Sequence, residues 1–171
     1  MMQALGPIMQ NGFVVPDWRA AAEHWAHTLG VGPFFVVEHV EFAECRFRGE
    51  PVEIDMSVAI AYSGDYQIEL VQQHNDAASI YTEFLASNAP GLQHVGTLVD
   101  DLDQALDSIK LRSKIIQDGV TAAGQRFAYV DTVQHNGTML ELIEVDAAMH
   151  NAFDYMRKAA ENWDGVTAVR S

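Results

Sequence analysis

The sequence has a single cysteine, Cys45, among its 171 residues. This excludes a disulfide within the chain and argues against a cysteine redox pair or a cysteine-based zinc site. No apolar run approaches the ~18 residues of a membrane-spanning helix, and residues 1–10 lack the basic start and apolar centre of a signal peptide. Basic residues are few: 10 Lys and Arg against 24 Asp and Glu give a net charge of −14, which disfavours nucleic acid and anionic membranes as partners. The glycine-rich phosphate-binding patterns are missing as well. We therefore expect a cytoplasmic protein that acts on a small molecule or a protein partner.

The sequence does contain ample apolar residues, 49% of the total, and a weak internal repeat. Residues 10–25 read "QNGFVVPDWRAAAEHW" and residues 94–109 read "HVGTLVDDLDQALDSI". Each segment has a short apolar strand, then an aspartate suited to cap a helix, Asp17 or Asp101, and then apolar residues at helical spacing. The two halves of the chain are therefore expected to share one fold.

Each half continues with two further strands joined by a turn. The first half has "VEIDMSVAIAYSGDYQIELV", the second "QRFAYVDTVQHNGTMLELIEV", and "PFFVVEHVEF" supplies the additional strand of the first half. The pattern predicts an α+β fold of two β-α-β-β-β modules. A single domain over residues 1–171 is expected to contain a module at 8–73, a connecting helix at 78–88, a module at 91–146 and a C-terminal helix at 147–162.

A carboxylate lies among apolar residues in the last predicted strand, "TMLELIEV". Side chains alternate along a strand, so Glu141 shares a face with Met139 and Ile143. An unpaired carboxylate on a buried face costs several kcal/mol or takes up a proton. Glu69 in "YQIELV" holds the same place in the first half. Either both glutamates face water, as most strand glutamates do, or something inside the fold compensates their charge.

The leading strands contribute a second pair of polar residues. Seven residues before the capping aspartates lie Gln10 in the first half and His94 in the second. Alone, His94 would suit a core position and Gln10 a hydrogen bond at a strand end, but the two positions are equivalent. In a two-fold arrangement, equivalent positions converge on one point. The sequence therefore predicts a site for a divalent ion such as Zn²⁺, Ni²⁺, Co²⁺ or Mn²⁺, with the ligands Gln10, Glu69, His94 and Glu141.

These features resemble the vicinal oxygen chelate superfamily, which includes glyoxalase I, methylmalonyl-CoA epimerase, extradiol dioxygenases, and fosfomycin and bleomycin resistance proteins. The resemblance covers about residues 8–146. It implies two modules forming a curved mixed sheet around a metal-binding cleft, with ligands on the first and last strand of each module. The order Gln, Glu, His, Glu is similar to that of animal-type glyoxalase I, whereas residues 68–101 look more like the epimerase.

The resemblance implies a metal-dependent lyase or isomerase that moves a proton at a carbon next to a metal-chelated carbonyl. Glu141 is then the base, and Glu69 lies on the opposite side of the substrate carbon. A homodimer is also implied. Two alternatives stay open: a non-catalytic small-molecule binding or drug-sequestering protein of the bleomycin-resistance type, and an extradiol-type dioxygenase that requires Fe²⁺.

Other polar residues have weaker patterns. His39 and His74 have no counterparts in the second half, which favours surface or packing roles. His24 and His27 lie three apart on a predicted helix without a third ligand. Arg46 and Arg48 alternate on a strand among acidic residues, which is compatible with ion pairing or with binding a substrate carboxylate.

Overall fold

The structure is a computed structural model that describes residues 5–109, 114–132 and 138–170. The predicted turn at Asn136 and Gly137 lies outside these residues. In the part of the chain that is described, the strands are β1 (Ile8–Val14), β2 (Phe34–Val37), β3 (Phe42–Phe47), β4 (Glu50–Pro51), β5 (Met56–Ser63), β6 (Tyr66–Gln73), β7 (Gly91–Val99), β8 (Lys114–Thr121), β9 (Arg126–Asp131), β10 (Met139–Glu144) and β11 (Val169–Arg170). The helices are α1 (Trp18–Leu29), α2 (Ile80–Ser87), α3 (Leu102–Ile109) and α4 (Ala147–Glu161).

All of these strands belong to one curved, unclosed mixed sheet with the order β11-β2-β5-β6-β1-β7-β10-β9-β8-β3-β4. The leading strands β1 and β7 pair antiparallel at its centre. Each also pairs in parallel with the last strand of its own module, β1 with β6 and β7 with β10. The predicted α+β class with a curved mixed sheet is confirmed, and the central pairing relates the two modules by an approximate two-fold axis.

The segment predicted as one additional strand, "PFFVVEHVEF", divides into two. β2 ends at Val37, the backbone of His39 turns with a φ of 51°, and β3 leaves the first half-sheet. β3 then pairs antiparallel with β8 of the second module. Arg46 on β3 forms an ion pair with Asp118 on β8, so its charge is paired across the two strands.

The two repeated helices begin as predicted. The Asp17 carboxylate accepts a hydrogen bond from the Ala20 N–H, and that of Asp101 accepts one from the Gln104 N–H. Both capping predictions are therefore confirmed.

The two faces of the sheet are covered differently. On one face, α1 packs against β5 and β6, and α3 packs against β9 and β10. The other face has an apolar cluster near α2, which includes Tyr81, Phe127 and Tyr129, and another under α4, which includes Tyr62 and Phe153. Within the described residues, the helices are all too short or too polar to cross a membrane.

Candidate metal centre

The four central strands place two rows of side chains on one face of the sheet. Each row consists of residues that lie directly opposite one another on neighbouring strands. The two rows are two residues apart along every strand, so the side chains of both rows project to the same side of the sheet. Across β6, β1, β7 and β10, one row is Glu69, Gly12, His94 and Met139, and the other is Gln67, Gln10, Gly96 and Glu141. The two-fold axis exchanges the rows, so that the register itself brings the four predicted ligands to one place.

Three of the four predicted ligands, Glu69, His94 and Glu141, meet in the interior. The Nε2 atom of His94 lies 3.0 Å from the Glu69 Oε2 atom and 3.5 Å from the Glu141 Oε2 atom. One ligand atom from each of these three side chains lies within 4.8 Å of the others. Gln10 and His94 are 1% and 0% exposed, while Glu69 and Glu141 are 8% and 6% exposed. All four side chains are therefore buried, the two carboxylates slightly less completely than Gln10 and His94.

Two glycines make room for this convergence. A Cβ atom on Gly12 would lie 1.9 Å from the His94 ring, and one on Gly96 would lie 2.3 Å from the Gln10 Oε1 atom. Each ligand of one module thus lies over the glycine of the other module. The glycines are needed for space, because any larger residue would overlap the ligand side chain.

The Gln10 Oε1 atom lies over Gly96, in the same cross-strand row as Glu141. The Gln10 Nε2 atom donates a hydrogen bond to Gln67 Oε1 at 2.6 Å, and Gln67 Nε2 donates to the Tyr62 hydroxyl at 3.0 Å. The Gln10 Oε1 and Glu141 Oε2 atoms are buried without a hydrogen-bond partner among the described residues. Buried oxygens of this kind are costly to leave unsatisfied. A divalent ion would satisfy both, so the residues present fit the metal that the sequence predicts.

His94 is held by its neighbours in an orientation suited to a metal ligand. Its Nδ1 atom lies 2.7 Å from the Gln93 Oε1 atom, so Nδ1–H donates there and Nε2 is left to face the two glutamates. Burial lowers the pKa of His94, but the nearby carboxylates of Glu141 and Glu69 outweigh burial and raise the pKa to about 9. Without a metal, the imidazole is therefore protonated at neutral pH.

Glu141 lies in a buried environment that favours its protonated form. Burial is the largest influence and raises its pKa, and the charge of Glu69 raises it further, while His94 and Tyr129 act in the opposite direction. The Tyr129 ring packs edge-on against the His94 ring at 5.2 Å. Its hydroxyl lies 3.0 Å from that of Tyr81. These tyrosines close one side of the site.

A cavity of about 270 Å³ lies beneath helix α4. Its walls include Tyr62, Leu98, Phe153 and Arg157. Because the Tyr62 hydroxyl accepts from Gln67, a chain of hydrogen bonds runs from Gln10 to the cavity wall. None of the four predicted ligands is among the residues that line this cavity.

Sequence reasoning missed the residues that support the ligands. Gly12 and Gly96 follow Gln10 and His94 at the same spacing, so the repeat itself held that signal. Gln93 left no such signal, because its side chain turns towards the neighbouring His94 within the same strand.

Both the sequence and the fold resemble those of known proteins. The family model described as "Glyoxalase/Bleomycin resistance protein/Dioxygenase superfamily" matches residues 9–129. No curated protein matches the sequence. A methylmalonyl-CoA epimerase from Mycobacterium tuberculosis is similar in structure, with a TM-score of 0.61, 18% identity, and coverage of 88% of this chain and 95% of that chain. A hypothetical protein from Bacillus halodurans has a TM-score of 0.60 and 16% identity, covering 82% of this chain and 94% of its own.

A third similar structure is a Streptomyces coelicolor methylmalonyl-CoA epimerase variant in complex with 2-nitronate-propionyl-CoA. Its TM-score is 0.54 at 18% identity, and the match covers 84% of this chain and 96% of that chain. At these identities, the similarities show a shared fold.

Proposed function

This chain belongs to the glyoxalase/bleomycin resistance protein/dioxygenase superfamily, and on that premise we propose that it is a metal-dependent lyase or isomerase. The reaction is proton transfer at a carbon next to a carbonyl, of the glyoxalase or acyl-CoA epimerase kind. One observation carries the proposal: two buried glutamates flank the Nε2 atom of His94. Beside them, the buried Gln10 Oε1 atom, which has no hydrogen-bond partner among the described residues, lies over Gly96 in the same row as Glu141.

Gln10, Glu69, His94 and Glu141 would hold the ion. Their three oxygens and one nitrogen suit Zn²⁺, Ni²⁺, Co²⁺ or Mn²⁺, and two positive charges balance the two carboxylates. When bound, such an ion supplies stabilisation of negative charge on a carbonyl oxygen, which acidifies the neighbouring C–H bond.

The proton itself is moved by the glutamates. A carboxylate held by a metal is a poor base, so the base must be the more loosely held of the two. Glu141 suits this role, because its Oε2 atom is the one without a hydrogen bond and lies farther from His94 Nε2 than that of Glu69. Its raised pKa also brings it closer to the range in which a carboxyl both takes and returns a proton near neutral pH. Glu69, on the other side of His94, would face the opposite side of the substrate carbon.

Two classes of substrate suit this reaction. The structural similarity to methylmalonyl-CoA epimerases supports an acyl-CoA thioester, and the glyoxalase-like order of the four ligands supports a hemithioacetal. We also propose that the protein acts as a homodimer, as the resemblance to the superfamily implies.

The direct test is exchange of substrate hydrogen with solvent deuterium. Chelator-treated, untagged protein receives Zn²⁺, Ni²⁺, Co²⁺ or Mn²⁺ and is offered 2-oxo acids, acyl-CoA thioesters and hemithioacetals in D₂O. We expect exchange on one class, dependent on metal and abolished in Glu141→Gln. Glu50→Gln is the matched control, because Glu50 is an exposed strand glutamate far from the site, and it should exchange like the unsubstituted protein.

Three results would contradict the proposal. Absence of exchange on every class, at about one bound ion per chain, would remove the proton-transfer step. Tight binding of a small molecule by metal-free protein without any exchange would indicate a sequestering protein. Oxygen uptake on a catechol with Fe²⁺ would indicate a dioxygenase.

A further inference from the structure

A second group of metal-binding side chains lies at one end of the first half-sheet. His39 is in the bend after β2, Asp55 directly precedes β5, and His74 directly follows β6. One ligand atom from each lies within 4.8 Å of the other two. The Nδ1 atom of His39 is 2.6 Å from the Asp55 Oδ1 atom, and the two imidazole rings are 4.8 Å apart. The structure thus gives both histidines partners that their spacing in the sequence did not reveal.

The backbone around this group is built to hold it. His39 has a φ of 51°, a left-handed conformation that is uncommon for residues other than glycine and that recurs at functional sites. The His39 N–H donates to the hydroxyl of buried Ser57 at 3.1 Å, and the same hydroxyl is 2.7 Å from the His74 Nε2 atom. The His74 N–H donates to the Asp55 carbonyl at 2.7 Å. Both histidines are therefore fixed in place by one buried serine.

This group is separate from the metal centre. His74 lies five residues beyond Glu69 along the same chain direction, and at a rise of about 3.3 Å per residue the two are roughly 16 Å apart. The side chains of His39 and Asp55 are 64% and 43% exposed, whereas the first site is buried. An ion in one place does not share a ligand with an ion in the other.

We propose that His39, Asp55 and His74 form a second, solvent-facing site for a divalent transition ion such as Zn²⁺. Two imidazole nitrogens and one carboxylate oxygen are ligands that Zn²⁺ and its neighbours in the first transition row prefer, whereas Mg²⁺ and Ca²⁺ require mostly oxygen. Three protein ligands on an exposed surface leave at least one position for water or another small ligand. The Ser57 hydroxyl then acts as the outer partner that orients the His74 ring.

Occupancy of this second site would join three segments that are distant in sequence. Gln73 and Asn75 hold the segment that leads to the start of α2, through hydrogen bonds from the Gln73 amide to the carbonyls of Asn75 and Ala77 and from the Ser79 hydroxyl to Gln73. A cation at His74 would anchor that segment at its beginning. Binding of a cation at this second site should therefore affect the segment that connects the two modules.

Zinc content after equilibrium dialysis tests the proposal. Untagged protein is freed of metal, dialysed against Zn²⁺ and assayed for zinc per chain. The test variant is His39→Asn/His74→Gln, in which asparagine tolerates the left-handed backbone of His39. It should hold one zinc ion fewer than the unsubstituted chain. The matched control is His24→Ala/His27→Ala, which removes two exposed imidazoles from α1 near the carboxylate of Glu23 and should lose none.

The zinc content of the variant is compared with that of the unsubstituted protein. The result therefore does not depend on what the first site binds or on whether the proposed reaction occurs. Equal zinc in the test variant and the unsubstituted chain would overturn the proposal, as would an equal loss in the control. Amide NMR of the unsubstituted chain gives a second reading that needs no variant. Zn²⁺ should shift the signals of His39, Ser57 and His74, and Mg²⁺ should not; signals unmoved by Zn²⁺ would overturn the second site.

Discussion

In the first half of the metal centre, the Gln10 amide belongs to a neutral hydrogen-bonded chain that continues through Gln67 to the Tyr62 hydroxyl. In the second half, the symmetry-related position is His94, whose imidazole carries a proton at neutral pH because of the two glutamates beside it. The residue that corresponds to Gln67 is Met139, which packs in an apolar cluster instead of donating hydrogen bonds.

This difference shows that sheet register and side-chain neighbours have separate effects on the site. Register alone brings Gln10 and His94, and Glu69 and Glu141, to matching places. The neighbours then decide what each place does: amides in the first half present a fixed oxygen, while burial beside Tyr129 in the second half prepares an acid and a base. The first half is expected to bind the metal ion, and the second half to transfer protons.

The difference between the two halves should be largest when each glutamate is replaced in turn by glutamine. In Glu141→Gln, solvent-deuterium exchange should fall by about 10²–10⁴-fold, the usual contribution of a general base. Glu69→Gln should lose less, since its half mainly supplies a ligand. Metal content of both variants, measured in parallel, separates lost chemistry from lost binding. Equal losses at equal metal content would show that the halves are equivalent and that Glu141 is not the particular base.

Within the metal centre, the pH dependence of stability should arise from the second half. Because the pKa of His94 is raised from 6.5 to about 9 in the folded chain, its contribution to stability is fully present below pH 6.5 and is lost as the pH rises to 9. The raised pKa of Glu141 acts with the same sign at lower pH. In chelator, the free energy of unfolding should fall by at most about 1.4 kcal/mol for each pH unit in that window.

Urea unfolding between pH 6 and 9.5 measures this slope. His94→Gln makes the two halves chemically alike at this position and should flatten the slope. A slope that persists in this variant would place the titrating group elsewhere.

The glycine pair allows a smaller test of the same symmetry. Gly12→Ala should destabilise the chain by about 1–3 kcal/mol, as overpacking does, and should reduce metal content, because its Cβ would overlap a ring held between two glutamates. Gly96→Ala would overlap the Gln10 side chain, whose Oε1 atom would lie 2.3 Å and whose Cβ atom 3.0 Å from the added Cβ, and should cost less because an unbranched side chain can move aside more easily than a ring. Unfolding midpoints and bound metal measure both; a larger effect at Gly96 would mean that Gln10 is the more rigid ligand.

The smallest expected effects come from the outer hydroxyls. Tyr62→Phe removes the acceptor at the end of the amide chain and should lower stability by about 0.5–1.5 kcal/mol, without changing the pH–rate profile. Tyr129→Phe, the matched change in the second half, should move that profile, because Tyr129 acts on the pKa of Glu141. Profiles of deuterium exchange against pH compare the two, and a shift in Tyr62→Phe would contradict the division of roles.

Much of this site was predictable because it repeats. The seven-residue spacing of Gln10 and His94 from the capping aspartates, and the matching places of the two glutamates on the return strands, predicted that these four side chains point into the interior together. The crossing of β3 to β8 was not predictable, since pairing between distant edge strands leaves no periodic signal in either strand. Nor was the group of His39, Asp55 and His74, whose members lie in connections, where position depends on how the strands end.

The pairing of β3 with β8 means that neither module is complete when separated. By sequence, β3 belongs to the first module, but its hydrogen bonds finish the second half-sheet. A fragment starting near residue 88 would expose β8 as a bare edge, which readily recruits a strand from another molecule. Expressed alone, such a half should aggregate or associate, and adding back a peptide covering residues 40–52 should return it to solution as a discrete complex.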